Sequence, residues 1–449
     1  MNISYKDYVD QPKFWEYLGA EVASFLEKDT KGLSYSEYIG LYTAVADRLS
    51  CNTVKVYGMS LSGSPVSYAS NYDLAEEMYL QVTGFMTTYL GRQRNEAMHR
   101  QGLQLLEFYH DTWKHYHVAA RMMDSMFGLL GRDWITPEKS CGRNVYAICD
   151  LFHQMWYTHL LLPTHAHLMD SMHMLINAKR ENAVIDDAVL CKLPTIFHQL
   201  RPPTVRRGIR CTTGVYGMHY ETPYVTKSVE YHSLRLRNMF NAGKICEYIH
   251  SVHELVAAED SLANSYLLNG SKENLNSMLN QELIFRVSNM LLQTMPELLN
   301  TMSKHNLHAL FKLLSRIHPD DGLVPMCKHF ESYVIERMTA SSPARTNVEN
   351  SMRAAAENTH AFVTWLIAEY DELAALVTEV FDGDQYLVTS LNASFKDAVN
   401  SNALYKSLDR KAPVLIADYI SSFLKVGSAS FKQLESSVAD PEGEIALRV

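Results

Sequence analysis

The sequence predicts an all-α chain, and two patterns lead there. Apolar residues recur at steps of three and four along most of its length, and no stretch alternates apolar and polar long enough to build a sheet. Its 449 residues, 47% of them hydrophobic, exceed one ordinary core and imply two to four packed units.

The first strongly periodic helix spans 35–49, with Tyr35, Tyr38, Ile39, Tyr42, Val45 and Leu49 on one face. Ser34 and Glu37, three apart, read as a capping box at its start. The next covers 72–89 through Leu74, Met78, Val82, Phe85 and Met86. A third runs over 102–130, interrupted once, with Leu105, Phe108, Trp113, Tyr116, Met122, Met126 and Leu129. The same rhythm returns at 145–161, 167–177, 229–267, 271–295, 298–316, 326–338, 347–381 and 386–399. Only short β-like pieces appear, such as 53–57. Connections are expected at 60–70, at the Pro- and Arg-rich run 201–210, at the PDDG turn 319–322 and at 339–345, before a polar tail from 427.

Net charge is −9, so there is no global basic field and no nucleic-acid partner is expected. Seven widely spaced cysteines without a CxxC fit reduced thiols of a cytoplasmic or nuclear protein. The start, MNISYKDYVDQPKFW, has no basic region followed by an apolar run, which argues against a signal peptide. No apolar run reaches the ~18 residues of a membrane helix, so no membrane insertion is expected.

Signals for catalysis are weak. His153, His159, His165, His167 and His173, with Asp170, form the densest histidine cluster, but no HExxH accompanies it and Pro163 interrupts it. The reading preferred is ordinary polar or half-buried helix histidines, with no metal and no cofactor. Gly58-Met59-Ser60-Leu61-Ser62-Gly63 has serine where a nucleophile elbow needs its final glycine, and reads as a loop. No phosphate-cradling GxxxxGK[ST] or GxGxxG occurs. Glu76 and Glu77 read as solvated surface. The arginines of RPPTVRRGIR have no aromatic between them, and read as a solvated loop rather than a phosphate contact. Two stripes stand out, Tyr38 with Tyr42 and Met122 with Met126, each pair one turn apart. Tyrosine and methionine favour interfaces, yet on spacing alone both stripes read as core.

Several segments together resemble the cullin family. They are FWEYLGAEVASFL, SYSEYIGLYTAVADRLS, EFYHDTWKHYHVAARMMDSMFGLLGRDWI, GRNVYAICDLF, EYIHSVHELVAAEDSLANSYLLNGSKENL, LFKLLSRIHPDDGLVPMCKHFESYV, FDGDQYLVTSLNASFKDAVNSN and APVLIADYISSFLKVG, in family order over 11–427. The resemblance implies an elongated stalk of three stacked five-helix repeats: 1–140, 141–275 and 276–427, followed by a polar tail at 428–449.

It also implies a non-catalytic scaffold of a cullin-RING ubiquitin ligase. The first repeat would bind a BTB/POZ-fold adaptor, which carries a substrate receptor, through its second and fifth helices. On this chain those positions are Tyr38, Ile39 and Tyr42, then Met122, Met126 and Leu129, which revises the core reading of the two stripes. Trp113 and Tyr116 become struts of the fifth helix. The LYTAV run and Phe14-Trp15 lean toward a Skp-type adaptor. The chain departs from the family pattern at Leu129 and Gly131, where tyrosine and aspartate are common, and at Leu262, where an arginine is lost. The family's globular C-terminal domain, which holds the RING-box protein, is not expected here, so no RING-box protein is expected to bind. The alternative is a helical tethering or trafficking subunit, an exocyst-like rod. A metal enzyme at the histidine cluster ranks third.

Overall fold

A computed structural model describes residues 11–27, 35–50, 71–200, 214–341, 352–400, 416–417 and 420. Every element among the described residues is helical. The chain divides into two compact units, Met1–Ser228 with Ser261–Lys272, and Val229–Asp260 with Glu273–Val449.

The first unit contains α1 (Gln11–Glu27), α2 (Tyr35–Ser50), α3 (Asn71–Met98), α4 (Gly102–Met126), α5 (Gly128–Leu130), α6 (Thr136–Ser140), α7 (Ile148–Trp156), α8 (Leu162–Arg180), α9 (Leu193–Gln199) and α10 (Gly214–Tyr216). It also takes in the start of α11 (Thr222–Asn241) and the end of α12 (Ile245–Tyr266). Its core is aromatic. The Trp156 ring lies 5.3 Å from Tyr109, 5.0 Å from Trp113 and 4.9 Å from Tyr116, and its indole N–H donates to the Tyr109 hydroxyl at 2.9 Å. Trp113 and Tyr116 are both buried, the former donating to Gln199 Oε1 at 3.0 Å. At Gly19 a Cβ would come within 2.4 Å of the Phe85 ring, so the close approach of α1 to α3 depends on the missing side chain.

Buried tyrosines close backbone accounts that helix ends leave open. Tyr220 donates to Tyr266 O at the end of α12 at 2.9 Å, and the amide of Leu268 donates to the Tyr216 hydroxyl at 3.0 Å. The start of α7 is capped from another helix, Asp124 Oδ1 of α4 accepting from the Cys149 amide at 3.1 Å.

Three prolines fall inside helical runs without ending them. Pro137, Pro163 and Pro223 each follow by two residues a π-helical turn: Gly131–Ile135, Tyr157–Leu161 and Gly217–Glu221. In each case the residue before the proline donates its amide five residues back, Thr136 to Gly131, Leu162 to Tyr157 and Thr222 to Gly217. A proline has no N–H and its ring collides with the carbonyl four residues back. Widening the preceding turn moves that carbonyl aside and lets the helix continue.

The second unit contains the rest of α11 and α12, then α13 (Ser271–Leu283, from Glu273 onward), α14 (Ser288–Gln293), α15 (Met295–Asn300), α16 (Lys304–Leu314), α17 (Leu323–Ser341), α18 (Met352–Val380) and α19 (Gln385–Asn400). Tyr248 donates to Leu283 O at 2.7 Å, and burial pushes its phenol up to about 12. His308 Nδ1 meets Val380 O at 2.7 Å, at the end of α18. His232 and Glu259, both almost fully buried, pair at 3.0 Å. At Gly322 a Cβ would lie 2.4 Å from the Leu314 backbone oxygen, so the PDDG turn is as tight as expected.

Several boundaries differ from the sequence reading. The run expected at 229–267 begins at 214 and is broken at Gly243, whose φ of 71° lies in the left-handed region. The run expected at 271–295 is split by the 3-10 turn Phe285–Val287. The helix expected at 298–316 is divided at Met302, with φ 50°. α3 extends nine residues past Tyr89, to Met98. α9 was not anticipated. The piece at 53–57, Ser34 of the capping box, the runs 60–70 and 201–210 and the tail beyond 427 lie outside the described residues.

Candidate protein-docking site

α2 turns one face inward and one outward. Leu41, Ala44, Val45 and Arg48 are buried, at steps of three and four, against α3, α4 and α5. The Arg48 guanidinium rests 5.7 Å from the centre of the Phe14 ring. The opposite face carries Ile39 and Tyr42, 41% and 38% exposed, with Tyr38 half-buried beside them. Large apolar side chains left open on one helix face are what a protein-docking surface requires.

α4 and α5 supply the neighbouring surface. Met122 and Leu129 are half-buried, and Gly128 is exposed with open space where a Cβ would stand. Met126 is a correction. It is 0% exposed, because it continues the buried series Tyr109, Trp113, Tyr116, Ala120 and Met123. One turn after Met122 the α4 backbone carries position 126 into the core, so that side chain holds the helix and presents nothing to a partner. Five of the six expected residues therefore reach solvent at least in part.

Two further residues border this face, and the sequence reading missed them. The π-helical turn Gly131–Ile135 buries Trp134 and Ile135 and leaves Arg132 and Asp133 outside. Arg132 donates to Asp133 in a fork, Nε to Oδ1 at 2.6 Å and Nη2 to Oδ2 at 3.0 Å. The pairing holds the Asp133 carboxyl below the usual carboxylate range and the guanidinium above its own. Arg132 follows exposed Gly128 and half-buried Leu129 by one turn, which sets it at the end of the α5 surface. Both lie in a segment that carries the family resemblance, but neither was among the expected docking residues.

The histidine cluster disperses. His153 meets His117 at 3.3 Å beside Trp113, His165 bonds His219 O at 2.7 Å, His167 bonds Arg100 O at 2.7 Å, and buried His173 lies near Tyr224. Asp170 faces Lys227 at 3.3 Å. Burial holds His117 and His219 below their ordinary values, with Arg121 and His165 adding to the effect. Among the described residues no three His, Cys, Asp or Glu side chains converge on a metal-sized gap. No described helix is long and apolar enough to cross a membrane.

Known proteins resemble the chain over nearly its whole length. The family model of the Cullin alpha solenoid domain matches residues 15–440. Cullin-1 of Caenorhabditis elegans is 22% identical over 454 residues, covering 96% of this chain and 57% of that protein. Cullin-1 of Schizosaccharomyces pombe is 21% identical over 419 residues, covering 92% and 52%. Cell division control protein 53 of Saccharomyces cerevisiae is 22% identical over 465 residues, covering 96% and 55%. The chain spans about half the length of the curated relatives it matches.

Proposed function

The chain belongs to the cullin family, and from that premise we propose that it is a non-catalytic scaffold of a ubiquitin ligase assembly. Its first unit docks a BTB/POZ-fold adaptor, of the Skp type, together with the substrate receptor that adaptor carries. The docking face consists of Tyr38, Ile39 and Tyr42 on α2 with Met122 and Leu129 beside them. The observation that carries this reading is the exposure of Ile39 and Tyr42 on a helix whose other face is fully committed to the core. Interface cores favour aromatic side chains, and a few of them dominate binding.

The division at 140 and 275 into three repeats, and a cytoplasmic or nuclear setting, belong to the same proposal. Family membership gives the tethering-rod alternative no support. The test is direct binding of purified chain to a purified Skp-type adaptor, with Ile39→Ala and Tyr42→Ala beside wild type. Each substitution weakens binding tenfold or more, an order of magnitude typical of a hot spot. Failure of the wild type to bind any BTB/POZ-fold protein would remove the proposal.

A further inference from the structure

We propose that Arg132 is the specificity-determining contact at the rim of the docking face, selecting a carboxylate on the docked adaptor, and that Asp133 is its internal placeholder. This rests on the docking reading above and adds to it the charge chemistry of the partner.

Gly131 O receives both the Thr136 amide and the Thr136 hydroxyl, the latter at 2.8 Å, so the wide turn is closed by two bonds. Trp134 and Ile135 fill the core, each 3% exposed. Arg132 and Asp133 are thereby thrown outward, their side chains 72% and 59% exposed.

Such a pair does little for the fold, because an ion pair in open water is screened and loses side-chain freedom. What it does is orient. The Asp133 fork occupies Nε and Nη2 of the guanidinium and, among the described residues, leaves Nη1 without a protein acceptor, one turn beyond Gly128 and Leu129. An apolar centre of Ile39 and Tyr42 edged by a pre-oriented guanidinium fits a partner that lays an apolar patch on α2 and brings a carboxylate to its edge. Arginine suits that task because its planar fork matches a carboxylate. Charge at a rim acts on encounter and partner choice more than on residence.

The two members of the pair must therefore act in opposite directions, which a purely structural ion pair cannot do. The experiment measures association and dissociation rates of purified chain with a purified Skp-type adaptor at low and high salt. Wild type is run beside Arg132→Ala, Asp133→Ala and Tyr42→Ala, with helicity checked by circular dichroism. Arg132→Ala slows association roughly threefold or more at low salt and flattens its salt dependence. Asp133→Ala speeds association, because the guanidinium loses its competing carboxylate. Tyr42→Ala raises the dissociation rate and keeps the salt slope. If Tyr42→Ala weakens binding while Arg132→Ala and Asp133→Ala match wild type, or both slow association, Arg132 is not a selector and the docking face stands. If wild type does not bind, or Tyr42→Ala has no effect, the docking reading falls and the Arg132 proposal with it.

Discussion

Truncating Met126 and truncating Tyr42 should give opposite phenotypes, although the two residues look alike in the sequence. Met126 is 0% exposed and lies among Met123, Phe127 and Leu130, all buried. Removing a buried methionine side chain costs about 2–5 kcal/mol, from lost transfer energy plus the cavity left behind. With no exposure to discount, about 3 kcal/mol is expected for Met126→Ala. In a unit of this size that lowers the melting temperature by roughly 6–12 °C. Tyr42, 38% exposed, lies off the buried stripe of α2, and Tyr42→Ala should cost roughly 1 kcal/mol or less in stability. It should still weaken adaptor binding by roughly thirtyfold, the equivalent of about 2 kcal/mol. Thermal melts by circular dichroism and titration calorimetry with the adaptor separate the two effects. If Met126→Ala keeps the wild-type melt but loses the adaptor, or Tyr42→Ala melts as early as Met126→Ala, then α2 and α4 have been assigned the wrong faces.

Two glycines make a contrasting pair in urea unfolding. Gly322→Ala forces a Cβ to 2.4 Å from the Leu314 carbonyl and should destabilise the second unit by about 2 kcal/mol, whereas Gly84→Ala, with open space around it, should stabilise α3 by up to about 1 kcal/mol. Tyr248→Phe leaves the carbonyl of Leu283 without its donor and should cost the second unit about 1–2 kcal/mol, read as an earlier melt with unchanged helicity. His117 and His219 are held below their ordinary values when folded, so the unfolded chain binds protons more readily and acid favours unfolding. Their contribution is complete above about pH 6.5 and is lost as pH falls through the lower folded values. His117→Gln with His219→Gln should flatten the melting temperature between pH 7 and 5.5, and an unchanged slope would show that other groups set it.

The helices were legible because burial follows a period the residues display. α19 falls within one residue of its expected ends at both sides, whereas the buried stripe of α2 is Leu41, Ala44, Val45 and Arg48, and of the face expected from spacing only Val45 belongs to it. Breaks inside long runs were not legible where the break is a backbone event. Gly243 and Met302 adopt positive φ, and neither changes the apolar rhythm around it. Long-range pairings were not legible either: Glu259 pairs with His232 from α11, a partner 27 residues earlier that no spacing rule connects.

The proposed docking face was half legible. Its α2 side came from the family resemblance, since spacing alone read Tyr38 and Tyr42 as core. Its α4 side depends on which of three methionines, Met122, Met123 or Met126, faces inward. All three are apolar, so composition cannot rank them, and only the packing of α4 on α7 and α8 decides.

The border residues were hidden because the helix was read as ending at 130, just before the turn that carries them. GRDWITP at 131–137 and GMHYETP at 217–223 share their glycine, threonine and proline, and in both the Thr hydroxyl donates to the Gly carbonyl at 2.8 Å. The same chemistry thus solves the same problem twice, a helix that must pass a proline. One extra residue in a turn shifts the register by about 100°. At the first motif that shift buries Trp134 and Ile135 and leaves Arg132 exposed; at the second it buries Tyr220, whose hydroxyl then reaches Tyr266 O. The position of the rim arginine is therefore a consequence of a proline five residues downstream. A helix ended at 130 loses the turn that positions it.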